Sequence, residues 1–151
     1  MSATSIELKA PAKLNLFLHV VGRRTDGMHL LESVFVLIDL CDDIVLELDP
    51  SGKISRTGDV IGDMDKDLCV RAARRLQQIS GTTIGCRIHV TKRIPAGAGM
   101  GGGSSNCAST LMGLNKLWGL NWPQEKLMSI GESLGADVPF FLFGQNAFAQ
   151  G

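Results

Sequence analysis

The sequence predicts an α+β fold in which helices pack on one face of a mixed, mainly antiparallel sheet. Strand-like alternation dominates the first half of the chain, helical periodicity dominates the second half, and no linker, repeat or low-complexity tract separates them. The chain has 151 residues, of which 44% are hydrophobic and 20% are charged, so it is long enough to bury a core. We therefore expect a single globular domain.

The first half of the chain consists of alternating segments separated by turn signals. Pro11 and Ala12 interrupt the first alternating segment, and an Asp-Gly pair marks a turn over residues 22–29. Asp42 and Asp43 predict a turn that would make the segments on either side of them a hairpin. A further turn is predicted over residues 51–53. The predicted strands cover residues 6–10, 13–21, 31–40, 44–48 and 84–91.

The second half shows apolar residues at helical spacing, bounded by helix-capping residues. Asp67 begins the first predicted helix and Gly81 ends it. Ser104 or Ser105 is suited to cap the next helix, which runs to Trp118. The predicted helices cover residues 67–79, 104–118, 122–134 and 137–143, and a further strand is predicted to begin within residues 146–149.

Charge and cysteine content exclude several classes of protein. The chain carries 15 basic and 15 acidic residues, and this balance provides no basic footprint for nucleic acid. Its four cysteines lack the close spacing of zinc ligands and lie among apolar residues, which indicates buried thiols in a reducing compartment. Neither a signal peptide nor a run of about 18 apolar residues is evident. We expect a cytoplasmic protein without nucleic-acid or membrane partners.

Residues 95–105, here called the glycine loop, contain five glycines within seven residues. Glycine allows positive φ and close approach of the backbone to a ligand. The loop leads into a predicted helix, and exposed N–H groups at a helix N-terminus bind phosphate well. The sequence therefore predicts that this loop holds the phosphates of a nucleotide.

The glycine loop shares features with three kinds of phosphate-binding loop. The Walker A pattern fails because no lysine follows Gly103. The dinucleotide fingerprint is met formally by Gly97, Gly99 and Gly102, but no second strand that ends in an acidic residue follows about 20 positions later. The third template, Pro-x-x-x-Gly-(Leu/Met)-Gly-Gly-Gly-Ser-Ser, is matched at every position from Pro95 to Ser105.

That third template is the phosphate-binding signature of the GHMP (galactose, homoserine, mevalonate, phosphomevalonate) kinase superfamily, which this chain resembles. The resemblance implies that residues 1–151 form a GHMP kinase N-terminal ATP-binding domain with a fold like domain 2 of ribosomal protein S5. It also implies that the C-terminal domain of these kinases is absent from the chain. The stretches that carry the resemblance are residues 11–16, residues 22–29, the glycine loop and residues 134–141.

Within the superfamily, residues 22–29 and 134–141 are similar to those of kinases that act on a cytidyl diphosphate sugar alcohol. The resemblance implies ATP-dependent phosphorylation of the 2-hydroxyl of this small molecule in non-mevalonate isoprenoid synthesis, with ATP and Mg²⁺ as cofactors. Two alternatives stay open. One is another kinase of the superfamily, acting on homoserine or mevalonate, and the other is a nucleotide-binding fragment without catalysis.

The resemblance also assigns roles to individual residues. It implies that Asp137 is the general base and Lys13 its cationic partner, since phosphoryl transfer needs an activated hydroxyl and charge neutralisation. Considered without the family, Asp137 is suited to cap a helix and Lys13 to lie on the surface. The implied nucleotide-binding residues, of which Ser104 or Ser105 also contacts Mg²⁺, are Pro95, Ala96, Gly97, Ala98, Gly99, Met100, Gly101, Gly102, Gly103, Ser104 and Ser105.

Substrate residues are implied in the first strand and the following turn. In the family, the residue equivalent to His29 reads the cytosine and that equivalent to Asn15 lies beside the diphosphate. Met28 stands where a tyrosine that stacks on cytosine is common, and methionine also packs on aromatic rings. Asp67 stands where an asparagine near the adenine is common. Apolar surface normally covered by the second domain would be exposed, and it predicts a homodimer.

Overall fold

The expected α+β architecture is confirmed in a computed structural model, with helices against one face of a mixed sheet. The structure describes residues 4–23, 29–59, 66–95 and 101–150, and the side chains of these residues except 15–23, 29–35 and 145–150. The elements in chain order are β1 (Ser5–Arg23), β2 (His29–Asp49), β3 (Ile54–Gly58), α1 (Leu68–Ser80), β4 (Gly85–Thr91), α2 (Gly102–Leu117), α3 (Gln124–Leu134) and α4 (Val138–Gln150).

The sheet has the strand order β1-β2-β4-β3. Its β1–β2 and β2–β4 pairs are antiparallel, whereas β3 and β4 are parallel and are joined through α1, as a crossover connection requires. Ile44 and Leu46 of β2 and Ile88 and Val90 of β4 are buried, while His89 between the latter two is exposed. One face of the sheet therefore carries the core and receives the helices.

Helix α2 is the central helix of the layer and contacts β1, β2, α1 and α4. Its own residues Leu111 and Leu114 are fully buried. A Cβ placed on Gly113 would lie 2.5 Å from Leu46 Cδ1 and 2.7 Å from Leu8 Cδ1, so this glycine allows the helix to approach the sheet closely. Helix α2 is thereby packed tightly against β1 and β2.

Two predictions about the strands are wrong. Asp42 and Asp43 do not form a turn but lie inside the continuous strand β2, where Asp42 pairs with Ala10 of β1. Burial of Asp42 is possible because protein donors satisfy its carboxylate. Pro11 and Ala12 do not divide the first strand in two, since β1 lies at the edge of the sheet, where a residue without an N–H is tolerated. They interrupt only its pairing with β2, which shifts register directly after Pro11.

The helix predictions are confirmed for α1 and for α3, which Pro123 and Gly135 bound, whereas the start of α2 is corrected. Asp67 caps α1 by accepting hydrogen bonds from the backbone N–H groups of Cys69 and Val70, and Gly81 ends the helix at φ 72°. Helix α2 begins at Gly102 with Gly101 as its N-cap and no side-chain cap, so the predicted serine cap is wrong. Ser105 lies inside the first turn, and its N–H donates to the Gly101 carbonyl.

The end of the chain also differs from its prediction. The strand expected within residues 146–149 is wrong, because α4 continues through Gln150. The Asp137-Val138-Pro139 start of this helix agrees with the sequence prediction. No helix within the described ranges is both long enough and apolar enough to cross a membrane.

Candidate active site

Lys13 is turned into the protein by an irregularity in β1. The pairing of β1 with β2 shifts register between Pro11 and Lys13, so the two-residue alternation of the strand is broken there. Ala12 and Lys13 are consequently both buried, at 0% and 9% exposure, whereas Leu14 is exposed. The alternative interpretation of Lys13 as a solvated surface lysine is therefore wrong.

Asp137 lies directly before α4, and its carbonyl accepts the N–H of Phe141 in the first turn. Its Oδ2 atom lies 3.8 Å from Lys13 Nζ. Half of the Asp137 side chain is exposed, while only 11% of the Lys13 side chain is. The structure therefore brings together two residues that are far apart in the sequence, and leaves the carboxylate accessible to a substrate.

The N-terminus of α2 lies beside this pair. Gly101, the N-cap of α2, has φ 71°, a conformation that favours glycine. A Cβ at Gly101 would lie 2.8 Å from Phe141 Cζ and 3.1 Å from Lys13 Cε. The end of the glycine loop, Lys13 and the start of α4 thus meet at one point. The N–H groups of a first helical turn and an adjacent ammonium together attract anions.

The glycine loop is described only at its two ends. Pro95 and Gly101–Ser105 lie in the described ranges, whereas residues 96–100 lie outside them. Ser104 is half-buried, and its Oγ lies 3.8 Å from the position of a Cβ on Gly135, near the turn that carries Asp137. Ser105 is fully buried. Of the two serines expected to contact Mg²⁺, Ser104 is the one on the side of the Lys13–Asp137 pair.

A buried carboxylate, which sequence reasoning did not assign to the site, joins the two ends of the glycine loop. Asp42 is fully buried and accepts four hydrogen bonds, from Lys92 Nζ at 2.6 Å, the backbone N–H groups of Arg93 at 2.6 Å and Ile94 at 2.9 Å, and Asn106 Nδ2 at 2.9 Å. Burial acts to raise the pKa of Asp42, but these hydrogen bonds outweigh it and lower that pKa below its usual value.

A signal for Asp42 was present in the sequence. Asp42, Ile44 and Leu46 alternate with period two, which places the aspartate on the same buried face as the two apolar residues. The adjacent acidic residue Asp43 suggested a turn instead.

Asp67 is occupied by two structural contacts. Its Oδ1 accepts the N–H groups at the start of α1, and its Oδ2 lies 3.3 Å from Nε of the buried Arg56. Arg56 also donates to the carbonyls of Thr57 and Asp59. Asp67 therefore ties α1 to β3.

The expected substrate residues lie largely outside the described part of the structure. The backbone of Asn15 pairs with that of Phe35, and the backbone of His29, at the start of β2, pairs with that of Arg23. The side chains of Asn15 and His29 and the whole of Met28 are outside the described residues. Their roles stay predictions. Among the described residues, no three His, Cys, Asp or Glu side chains converge as a metal site.

The chain matches known proteins along its whole length. Residues 67–145 match the family model for the N-terminal domain of GHMP kinases. A 4-diphosphocytidyl-2-C-methyl-D-erythritol kinase from Ralstonia pickettii (strain 12J) is 57% identical, with 100% of this chain and 54% of the relative covered. The kinase of the same name from Ralstonia nicotianae (strain ATCC BAA-1114 / GMI1000) is 59% identical, with 94% of this chain and 50% of the relative covered. The chain spans about half the length of these relatives.

A solved structure agrees with the sequence comparisons. The crystal structure of a 4-(cytidine 5'-diphospho)-2C-methyl-D-erythritol kinase superimposes with a TM-score of 0.71 at 41% sequence identity. The match covers 92% of this chain and 49% of that one.

Proposed function

The chain belongs to the GHMP kinase family, and on that premise we propose that it forms the ATP-binding part of a kinase for 4-diphosphocytidyl-2-C-methyl-D-erythritol. The reaction is ATP-dependent phosphorylation of the 2-hydroxyl of this substrate, a step in isoprenoid precursor biosynthesis. The names of the relatives at 57% and 59% identity support the substrate. Residues 1–151 act as the N-terminal domain, and a C-terminal domain completes the cleft.

The observation that carries the proposal is the 3.8 Å separation of Lys13 Nζ and Asp137 Oδ2 beside the start of α2. In the proposed reaction, the exposed carboxylate of Asp137 takes the proton of the substrate hydroxyl. The hydroxyl oxygen forms a bond to the γ-phosphorus of ATP while the bond to the ADP oxygen breaks. Lys13 supplies a fixed positive charge next to the phosphoryl group in transfer.

The proposed ATP site is the glycine loop, residues 95–105. Backbone N–H groups from residue 98 to residue 104 donate to the phosphate oxygens, since the N–H of Ser105 donates to the Gly101 carbonyl within α2. The positive φ of Gly101 and the first turn of α2 behind it support this arrangement. Because these donors belong to the backbone, the phosphates are recognised without a Walker lysine.

Mg²⁺ belongs to the same proposal. The Ser104 hydroxyl is a hard oxygen donor of the kind that Mg²⁺ takes together with phosphate oxygens and water. When bound, the ion would neutralise charge on the ATP phosphates. Ser104 would hold it from the protein side.

On the substrate side we propose that Asn15, Met28 and His29 bind the cytidyl diphosphate. Polar pairing by His29 discriminates cytosine from other bases, because a wrong base would leave buried polar groups unpaired. Met28 packs against the base through its sulfur.

An ATP-consumption assay with the cytidyl substrate tests the proposed reaction. It is run on this chain and on a protein of the relatives' full length that contains it. Asp137→Asn is expected to lower turnover by about 10²- to 10⁴-fold, as loss of a general base does, and to leave ATP affinity nearly unchanged. Asp39→Asn, an exposed aspartate of β2, is the matched control and is expected to keep full activity.

The outcomes separate the alternatives. Full activity of Asp137→Asn would contradict its role as the base. Activity only in the longer protein would identify this chain as a fragment of the enzyme, and activity in neither would favour a nucleotide-binding module.

Two properties of the whole chain complete the proposal. We place it in the cytoplasm, which the free state of all four cysteines supports.

We also propose a homodimer that forms through exposed apolar side chains. Leu14 and Val36 face each other on β1 and β2, and Phe143 lies on α4. Sedimentation equilibrium tests it: a monomer at all concentrations would contradict association, and Leu14→Ser with Val36→Thr is expected to weaken it.

A further inference from the structure

We propose that Asp42 is a positioning residue that closes the base of the glycine loop and so fixes the backbone donors that face the ATP phosphates. The inference rests on the proposed ATP-binding function and extends it to a residue outside the glycine-rich motif. Asp42 lies on β2, more than 50 residues before the loop in the sequence.

The first half of the argument concerns the chain that enters the loop. Asp42 Oδ1 accepts the backbone N–H groups of Arg93 and Ile94. These residues directly precede Pro95, the first residue of the glycine loop. Both are held at the peptide backbone, so their position does not depend on the conformations of their own side chains.

The second half concerns the chain that leaves the loop. Asp42 Oδ2 accepts Asn106 Nδ2, and Asn106 directly follows Ser105, the last residue of the loop. Lys92 Nζ bridges the two sides, since it donates to Asp42 Oδ2 and, at 3.1 Å, to Asn106 Oδ1. One carboxylate thus binds the residues on both sides of residues 95–105.

The packing around this network shows how closely the two ends approach. A Cβ on Gly102 would lie 3.1 Å from Ile94 Cγ2 and 3.2 Å from Lys92 Nζ. Asp42 itself is fully buried in the central part of the sheet, and Asn106 is 5% exposed. The base of the loop is therefore fixed to a rigid strand and shielded from water, which strengthens each hydrogen bond.

A fixed base matters because the proposed ligands are backbone groups. A loop that must be ordered when ATP binds pays the entropy of ordering out of its binding energy, whereas a preorganised loop does not. Loss of the Asp42 contacts should therefore weaken ATP binding more than binding of the second substrate.

The substitution Asp42→Asn separates the two sides of the network. The oxygen of the introduced amide can still accept the N–H groups of Arg93 and Ile94, but the nitrogen of that amide would face Lys92 and Asn106, which also donate. We expect a rise of about tenfold or more in the KM for ATP, with a smaller change in kcat and an unchanged KM for the cytidyl substrate.

Exchanging the side chains of positions 42 and 106 is expected to restore the ATP affinity that the single substitution removes. In Asp42→Asn with Asn106→Asp, the carboxylate moves to position 106, where it accepts both Lys92 Nζ and the amide of position 42. Each single substitution is expected to weaken ATP binding, and the double variant to recover most of the affinity, which a double-mutant cycle measures. Asp43→Asn is the matched control, because Asp43 contacts the Lys9 and Arg93 side chains at the surface.

The experiment measures ATP affinity by calorimetry on this chain, and KM and kcat on the full-length protein that contains it, well below the melting temperature of each variant. Recovery in the double variant, with Asp43→Asn unchanged, supports the inference. A folded Asp42→Asn variant with unchanged ATP affinity overturns the inference alone. Equal weakening of ATP and cytidyl substrate binding also overturns it, and absence of ATP binding in the unsubstituted protein overturns the proposed function with it.

Discussion

Asp42 and Asp43 are neighbours in sequence with opposite environments. The Asp42 carboxylate points into the core, where four donors surround it. The Asp43 carboxylate points outward and accepts hydrogen bonds from the side chains of Lys9 and Arg93 at the surface. Exposed ion pairs contribute little to stability, whereas a buried carboxylate that loses a donor leaves unpaired polar groups behind. We therefore expect only Asp42 to affect folding strongly.

The lowered pKa of Asp42 predicts how its contribution to stability depends on pH. Burial acts to raise this pKa, but the hydrogen bonds from Ile94, Lys92, Arg93 and Asn106 lower it on balance. A carboxyl group whose folded pKa is depressed contributes stability that is fully present above its unfolded pKa of about 3.9 and is lost as pH falls through the folded value. We expect Asp42→Asn to be less stable than the unsubstituted chain at neutral pH, and the difference to shrink below about pH 4.

Urea unfolding at several pH values between neutral and acid checks this dependence. Asp43→Asn serves as the comparison, because its ion pairs are exposed and should contribute little at any pH. A stability difference between the unsubstituted chain and Asp42→Asn that stays constant down to about pH 3 would show that ionisation of Asp42 is not its cause.

At the scale of elements, the sequence predicts correctly the helices and strands whose boundary residues lie close together in the chain. Helix α1 was predicted because an aspartate cap and a terminal glycine bound an apolar face. The start of α2 was misplaced, because the sequence offered two serines as caps while the structure uses Gly101, whose positive φ lets the chain turn into the helix. The preference of serine for helix caps can be recognised from the neighbouring residues alone. The packing of Phe141 and Lys13 around Gly101 cannot, because both residues are distant from it in the sequence.

Strand β2 shows the same limit more clearly. Two adjacent aspartates within an apolar stretch favour a turn, and this signal outweighs the period-two alternation of Asp42, Ile44 and Leu46. The donors that make burial of Asp42 possible come from residues 92–94 and 106, which are far along the chain. A prediction from local pattern could not include them.

The candidate site was predictable in part for the same reason. The motifs identified Lys13 and Asp137 through resemblance, and the fold brings their side chains to 3.8 Å. The register shift in β1 that turns Lys13 inward has no local signature beyond Pro11. Asp42 carries no motif at all, so only the folded chain reveals its relation to the glycine loop.

At the scale of the molecule, three buried cysteines belong to one hydrophobic core. Cys69 of α1, Cys86 of β4 and Cys107 of α2 are buried in different elements of the same hydrophobic cluster. Burial raises the pKa of the Cys69 and Cys86 thiols to about 12 and raises that of Cys107 as well. Cys41 of β2 is partly exposed, and burial raises its pKa to a smaller extent. The sheet and the two helices are thus expected to open together.

Thiol labelling tests whether the chain unfolds as one unit. A thiol with a pKa of about 12 is ionised in roughly one molecule in 10⁴ at pH 8, and the thiolate is the reactive form, so Cys69, Cys86 and Cys107 should resist a disulfide reagent in the native chain. We expect Cys41 to react first and the other three to become reactive with a common midpoint in urea, as a cooperative domain requires. Peptide mapping of the labelled protein identifies each site, and Cys41→Ser removes the early phase as a control. Labelling of Cys86 at lower urea than Cys69 and Cys107 would instead mean that β4 opens while the α1–α2 layer stays folded, and the single core inferred from the packing would then be two.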